Sequence, residues 1–85
     1  MEKAIHNTAY RSLVLDLQRA RQAKGLSQKD VARTLGFART WLSKVETLEI
    51  RLDVLQLVRL ANIYSLDVHQ LIDVLQRDDT ESPVT

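Results

Sequence analysis

Residues 27–46, SQKDVARTLGFARTWLSKVE, constrain the fold of this chain most strongly, because they read as two short amphipathic helices that meet at a glycine. Ser27 is a good N-cap, and Asp30 stands three residues later, where a capping box places Glu or Gln. Gly36 follows the last apolar residue of the first helix, where a left-handed C-cap favours glycine. The stretch predicts a helix-turn-helix unit, a motif whose second helix enters the major groove of DNA.

The two helices of this unit are predicted over about residues 28–35 and 38–47. In the second helix, Ala38, Leu42 and Val45 recur at spacings of four and three residues, so we expect them on one buried face. The opposite, exposed arc is polar and consists of Arg39, Thr40, Ser43, Lys44 and Thr47. Side chains of these types bond the edges of bases and the phosphates of DNA.

Three residues of the exposed arc are candidates for base contacts: Arg39, Thr40 and Lys44. Arginine and lysine donate to O6 and N7 of guanine, and the methyl group of threonine can touch a thymine methyl. We assign Ser43 to a phosphate instead.

The pattern resembles the Cro/phage-repressor family of helix-turn-helix proteins, also called the XRE family, over about residues 13–72. The matching positions are Gly25-Leu26-Ser27-Gln28, Val31-Ala32, Leu35-Gly36 and Leu42-Ser43-Lys44-Val45-Glu46. Residues 51–54 and 57–61 are similar to the family's fourth helix. The resemblance implies an all-α, five-helix, lambda-repressor-like DNA-binding domain.

The resemblance also implies roles for three residues. In phage repressors the positions that match Arg21 and Glu46 form a partly buried ion pair, so we expect a structural pair here. The position that matches Gln28 contacts the DNA backbone and supports the recognition helix. Gln28 is also the first residue of a predicted helix, where free N–H groups and the helix dipole favour a phosphate.

Trp41, the only tryptophan, lies between the buried and exposed faces of the second helix. It is expected either to pack against the first residues of the preceding helix or the following loop, or to lean on the sugar-phosphate backbone or a thymine methyl. Phe37 is bulkier than the valine usual in the family, and we expect it to enter the core.

Three other positions depart from the family pattern. Ala38 replaces the serine or threonine that usually caps the recognition helix, Leu48 replaces a common glycine, and Leu52 replaces a common proline. The loop over residues 48–52 therefore differs from that of the family. Thr47 and Arg51 are carried over as phosphate contacts on the resemblance alone.

The helices outside the motif follow from caps and apolar spacing. The first is predicted to begin between residues 5 and 8 and to end near Lys24, before Gly25. Asp53 is expected to cap the fourth, which runs to residue 63 or 64. Its broad apolar stripe consists of Val54, Leu57, Val58, Leu60 and Ala61. Asp67 is expected to cap the fifth, over about residues 68–76, with Gln70 completing a capping box.

The fifth helix has more apolar surface than one face of a short helix buries: Val68, Leu71, Ile72, Val74 and Leu75. We expect a homodimer interface there, as is common in the family; the alternative is a helix folded onto its own core. The domain is predicted to span residues 1–77. The acidic segment 78–85, DDTESPVT, is predicted to be a disordered tail.

Charge is segregated along the chain, although the net charge is only +1. Residues 19–51 contain eight basic and three acidic side chains, whereas residues 52–85 contain two basic and six acidic ones. The basic half coincides with the helix-turn-helix unit, which favours a nucleic-acid partner. A solvated charged surface is the alternative.

Other chemistry is not indicated by the sequence. The chain contains no cysteine, and His6 and His69 have no further ligand at metal-binding spacing. No pattern of catalytic residues or glycine-rich phosphate loop occurs, so we expect neither an enzyme nor a cofactor or metal. The N-terminus lacks the apolar segment of a signal peptide, and no segment is long enough to span a membrane, so a cytoplasmic location is expected.

The sequence is compatible with two functions. The first is a sequence-specific transcriptional regulator, most simply a repressor, that binds a pseudo-palindromic operator in double-stranded DNA as a homodimer. The second is an antitoxin or other protein-interaction module whose DNA binding serves autoregulation. The second is motivated by the apolar excess of the fifth helix and by Leu15 and Leu48, which could form a surface for a protein partner.

Overall fold

The computed structural model describes residues 7–79, with side chains through residue 76, and this part of the chain folds into five α-helices without a strand. The helices are α1 (Thr8–Ala23), α2 (Gln28–Leu35), α3 (Trp41–Glu46), α4 (Val54–Ile63) and α5 (Val68–Asp79). The predicted all-α, five-helix architecture is confirmed. None of these helices is long and apolar enough to cross a membrane.

Side-chain caps begin α1, α2, α4 and α5, whereas α3 has none. The Ser27 hydroxyl accepts from the backbone N–H of Asp30 at 3.0 Å, as the sequence predicts. The reciprocal capping box lies at α4, where Asp53 and Gln56 each accept from the backbone N–H of the other at 2.7 and 3.0 Å. At α5 the carboxylate of Asp67 accepts from the N–H of His69 instead of forming the predicted box. The N–H of Gln70 donates to the backbone carbonyl of Asp67.

The first four helices end in the same way, with a left-handed residue followed by a backbone bond that closes the last turn. The left-handed residues are Gly25, Gly36, Leu48 and Ser65. After each of them, the next N–H donates to a carbonyl five residues earlier, as in Phe37 to Ala32 at 2.9 Å and Leu66 to Ala61 at 2.8 Å. Leu48 thus takes the conformation that glycine favours, at a cost of about 1–2 kcal/mol.

A single core forms between the helices. Its fully buried large side chains are Leu13, Val31, Leu42, Val45 and Leu60. The helix α5 packs mainly against α1, and α3 packs against α1 and α2. This packing holds α3 with its apolar face inward, which leaves its polar face for other partners.

The apolar residues of α4 and α5 are distributed differently from the prediction. Val54 was expected in the core stripe of α4, but it lies at the start of the helix and is 77% exposed. Leu71 was expected in a dimer interface, but it is 5% exposed and belongs to the core of its own chain. Val68 and Leu75 also pack against the core, whereas Ile72 is 40% exposed.

The chain between α2 and α3 is longer than predicted. The helix α3 begins at Trp41, three residues later than the predicted start, and Ala38 is exposed instead of buried. Phe37 is half-buried and lies outside the core cluster. The physical reason is the absence of a capping side chain: Thr40 precedes α3 but makes no side-chain cap bond.

The helix α5 continues to Asp79, beyond the predicted end near residue 76. Two residues of the predicted tail, Asp78 and Asp79, are therefore helical. The rest of that segment, residues 80–85, lies outside the described residues, as do the residues before Asn7.

Candidate nucleic-acid interface

One face of α3 is polar and exposed. Thr40, Lys44 and Thr47 are exposed at spacings of four and three residues. On the opposite face Leu42 and Val45 are each 1% exposed. Burial of these two apolar side chains fixes the rotation of the helix, so the polar face points away from the core.

Arg39 lies in the turn before α3 and not on the helix itself. The N–H of Trp41 donates to the carbonyl of Ala38 at 2.9 Å, which closes a tight turn with Arg39 and Thr40 at its centre. The side chains of Arg39 and Lys44 are exposed and have no hydrogen bond or ion pair with other described residues. Both cations are therefore free to engage an external partner.

Ser43 and Thr47, the two hydroxyl residues predicted to contact phosphates from α3, differ in their exposure and in their hydrogen bonds. Ser43 is half-buried, and its backbone carbonyl accepts from the Thr47 hydroxyl at 2.9 Å. The same hydroxyl lies 2.8 Å from a carboxylate oxygen of Glu49. An ionised carboxylate at this distance repels a phosphate, so the environment of Thr47 is unfavourable for the predicted phosphate contact.

Glu46 is the centre of a buried polar network at the end of α3. Arg21 on α1 donates to both of its carboxylate oxygens, from Nε at 2.8 Å and from the terminal amino group at 3.2 Å. Gln28 on α2 donates from Nε2 to Oε1 at 2.7 Å. Arg21 also donates to the carbonyl of Leu26 at 2.7 Å. The predicted partners are thus paired, with side chains only 10% and 4% exposed.

This network has a consequence for Gln28. Its side-chain amide donor is held by Glu46, so it ties the N-terminus of α2 to the C-terminus of α3. Gln28 therefore supports the end of α3 through a hydrogen bond. A phosphate contact from Gln28 would have to use its backbone N–H or share the amide.

Tyr64 lies beside the network. It is 3% exposed, and its hydroxyl has no hydrogen-bond partner among the described residues. Burial raises the pKa of Tyr64 far above its usual range, the Glu46 carboxylate raises it further, and Arg21 lowers it. The phenol therefore stays protonated, because its anion would be a second negative charge next to a buried carboxylate.

The loop after α3 is anchored to α1 by Tyr10. The N–H of Leu52 donates to the Tyr10 hydroxyl oxygen at 3.0 Å. The guanidinium of Arg51 lies 5.9 Å from the centroid of the Tyr10 ring, within the range of a cation–π interaction. Arg51 is exposed, so Tyr10 holds a cation at the surface near the end of the loop.

Trp41 is half-buried and contacts two environments. It packs against the core, and its ring also lies 4.5 Å from that of Phe37, tilted by 32°. Trp41 therefore packs within the domain, against the core and Phe37, and is partly exposed.

Sequence reasoning missed three features of this region: the Tyr10 anchor, the buried Tyr64 and the Phe37–Trp41 pair. The bond between Tyr10 and Leu52 joins residues 42 positions apart, and no local pattern encodes it. The spacing of four residues between the two aromatic side chains was available as a signal.

No group of three or more His, Asp or Glu side chains that could hold a metal ion occurs in the described part of the chain.

Comparison with known proteins identifies one family. Residues 12–82 match the family model described as a helix-turn-helix domain. No curated protein and no solved structure matches the chain.

Proposed function

We propose that this chain, which belongs to the helix-turn-helix domain family, is a sequence-specific transcriptional regulator of the Cro/phage-repressor type. One observation carries the proposal. Thr40, at the N-cap of α3, and Lys44 are exposed and lie four residues apart, and Arg39 is exposed in the turn just before the helix, whereas Leu42 and Val45 are buried. In this reading α3 and the turn before it enter the major groove, and the three exposed side chains contact base edges.

Phosphate contacts would supply much of the affinity. The exposed guanidinium of Arg51, which Tyr10 holds near the end of the loop, and the first turn of α2 at Gln28 are the leading candidates, together with the half-buried Ser43 and Trp41 of α3. Because such contacts release counterions, the affinity is expected to fall steeply with salt. Thr47 is the weakest candidate, because its hydroxyl is bonded to Glu49.

The protein is proposed to act as a homodimer, most simply as a repressor. Two copies related by a two-fold axis would place their recognition helices in successive major grooves, about 34 Å apart. Four large apolar side chains among the described residues are exposed: Leu15, Val54, Leu55 and Ile72. The last three, with Val74, replace Leu71 as candidates for the contact between copies.

Selection of binding sites from random duplex DNA at two salt concentrations tests the proposal. The expected result is enrichment of an inverted repeat whose half-sites lie about one helical turn apart. Binding that is weak, falls with salt and enriches no sequence would sink the proposal.

A protein-interaction module, such as an antitoxin, is the second candidate function. It is favoured by a groove of about 380 Å³ next to α1, lined by the exposed Leu15 and by Leu48. A chain that remains monomeric on DNA and gains order only with a protein partner would support this candidate. A neighbouring toxin gene would point the same way.

A further inference from the structure

Phe37 and Trp41 flank the turn that presents Arg39. Their ring centroids lie 4.5 Å apart, and both side chains are half-buried. Trp41 is packed against the core, whereas Phe37 lies outside the core cluster. The contact between the Phe37 and Trp41 rings is therefore separate from the packing of the core.

The backbone between the two rings is closed by hydrogen bonds at both ends. The N–H of Phe37 donates to the carbonyl of Ala32 at 2.9 Å, which attaches the start of the segment to α2. The N–H of Trp41 donates to the carbonyl of Ala38 at 2.9 Å, which attaches its end to α3. Between these bonds Ala38, Arg39 and Thr40 are all exposed and bury no side chain that could hold them.

The start of α3 is otherwise weakly held. Thr40 makes no side-chain cap bond, and Ala38 has no capping group to offer. An uncapped helix of six residues tends to fray at its first turn. The stacked rings are the side-chain contact that spans this turn, and aromatic pairs at this distance attract one another.

We propose that Phe37 is a positioning residue for base recognition: its stack on Trp41 holds the turn over residues 38–41 in the conformation that presents Arg39 to the DNA. This inference rests on the proposed function and extends it to a residue outside the exposed face of α3. Because the turn is ordered before binding, the complex does not lose the corresponding conformational entropy. Phe37 therefore contributes to DNA affinity through the position of Arg39 and not through a contact of its own with DNA.

The first test needs no DNA. Phe37→Leu keeps an apolar side chain but removes the ring, and hydrogen exchange of the Trp41 amide reports whether the turn stays closed. We expect that amide to exchange roughly three- to tenfold faster in the variant, while amides of α4 are unchanged. Leu66→Ala is the matched control, because Leu66 occupies the same position after α4 and is also half-buried. Unchanged protection of the Trp41 amide in Phe37→Leu would overturn the proposal that the ring pair holds the turn.

The second test is a double-mutant cycle on the inverted repeat enriched from random duplexes, with a scrambled duplex as reference. Phe37→Leu alone should weaken binding to the repeat roughly three- to tenfold and leave binding to the scrambled duplex unchanged. In an Arg39→Ala background it should have no further effect. Equal loss on both duplexes, or the same loss with and without Arg39, would refute the positioning role. If no repeat is enriched, the proposed function fails, and the exchange experiment still decides whether the ring pair holds the turn.

Discussion

The side-chain amide of Gln28, at the first position of α2, donates to the carboxylate of Glu46, at the last position of α3, over 2.7 Å. Arg21 of α1 donates to the same carboxylate. Three helices therefore share one buried anion, and its position fixes how α3 lies relative to the other two. The orientation of α3 therefore depends on this network as well as on the apolar core.

Removal of the Glu46 charge should destabilise the fold strongly. In Glu46→Gln the guanidinium of Arg21 stays buried without a counter-charge, and breaking one side of such a pair costs about 3–5 kcal/mol. Urea unfolding measures the loss. The exposed pair Arg33–Asp30 has the same 2.8 Å separation with side chains 71% and 59% exposed, so Arg33→Gln should cost less than about 1 kcal/mol. Similar losses for both variants would contradict the role of burial.

The two tyrosines of the chain should respond in opposite ways to loss of the hydroxyl. Tyr10→Phe leaves the N–H of Leu52 without its partner and should lower the free energy of unfolding by about 1–2 kcal/mol. Tyr64→Phe removes a buried hydroxyl that has no partner among the described residues, so it should be neutral or stabilising by up to about 1 kcal/mol. Thermal unfolding of the two variants compares them. Destabilisation by Tyr64→Phe would mean that its hydroxyl is satisfied in solution.

Tyr64 should also make the fold sensitive to alkaline pH. Burial raises its pKa in the folded chain above the value of about 10 in the unfolded chain. The unfolded chain therefore loses the phenolic proton first, and stability from this group is full below pH of about 10 and falls as the pH rises further. The free energy of unfolding, measured at pH of about 8 and about 11, should drop less in Tyr64→Phe than in the parent chain. Equal drops would exclude Tyr64 as the cause.

Replacing a non-glycine residue at a left-handed position by glycine should stabilise the fold. Ser65 has φ of 60° and is exposed, so Ser65→Gly should relieve backbone strain without loss of packing and stabilise by about 0.5–1 kcal/mol. Gly36→Ala is the converse control. Its added Cβ would meet no atom within 4 Å, so its expected cost of about 1 kcal/mol comes from the backbone alone. Urea unfolding of both variants should give opposite signs.

Arg39 and Arg51 should affect DNA binding differently. If Arg39 makes a bidentate contact to a base, Arg39→Ala costs about 1–3 kcal/mol and relaxes the preference at one position of the site. Arg51→Ala should weaken binding evenly on all sequences and lower the salt dependence by about one counterion. Arg59→Ala, an exposed arginine on α4, is the matched control. An even loss from Arg39→Ala on every sequence would assign Arg39 to a phosphate.

The number and order of the helices were predictable from the sequence, as were the starts of α2 and α4, whereas the start of α3 and the end of α5 were not. Ser27 and Asp53 cap the starts of helices, and Gly36 ends one, each through groups within four residues of its own position. Such local effects can be recognised in a short stretch of sequence. The resemblance to a repressor family supplied the Arg21–Glu46 pair, which spacing alone does not reveal. Periodicity predicted the bounds of α2 and two of the three residues on the apolar face of α3, Leu42 and Val45, but not the exposure of Ala38.

Which side chains face solvent at the margins of the helices depends on the packing of the helices against one another. Val54 and Leu71 are both apolar residues of amphipathic helices, yet one is 77% and the other 5% exposed, because exposure depends on where neighbouring helices cross. Phe37 likewise lies outside the core cluster, with its ring centroid 4.5 Å from that of Trp41, although its size predicted a core position. Such contacts join residues through space, and local sequence preferences are too weak to fix them.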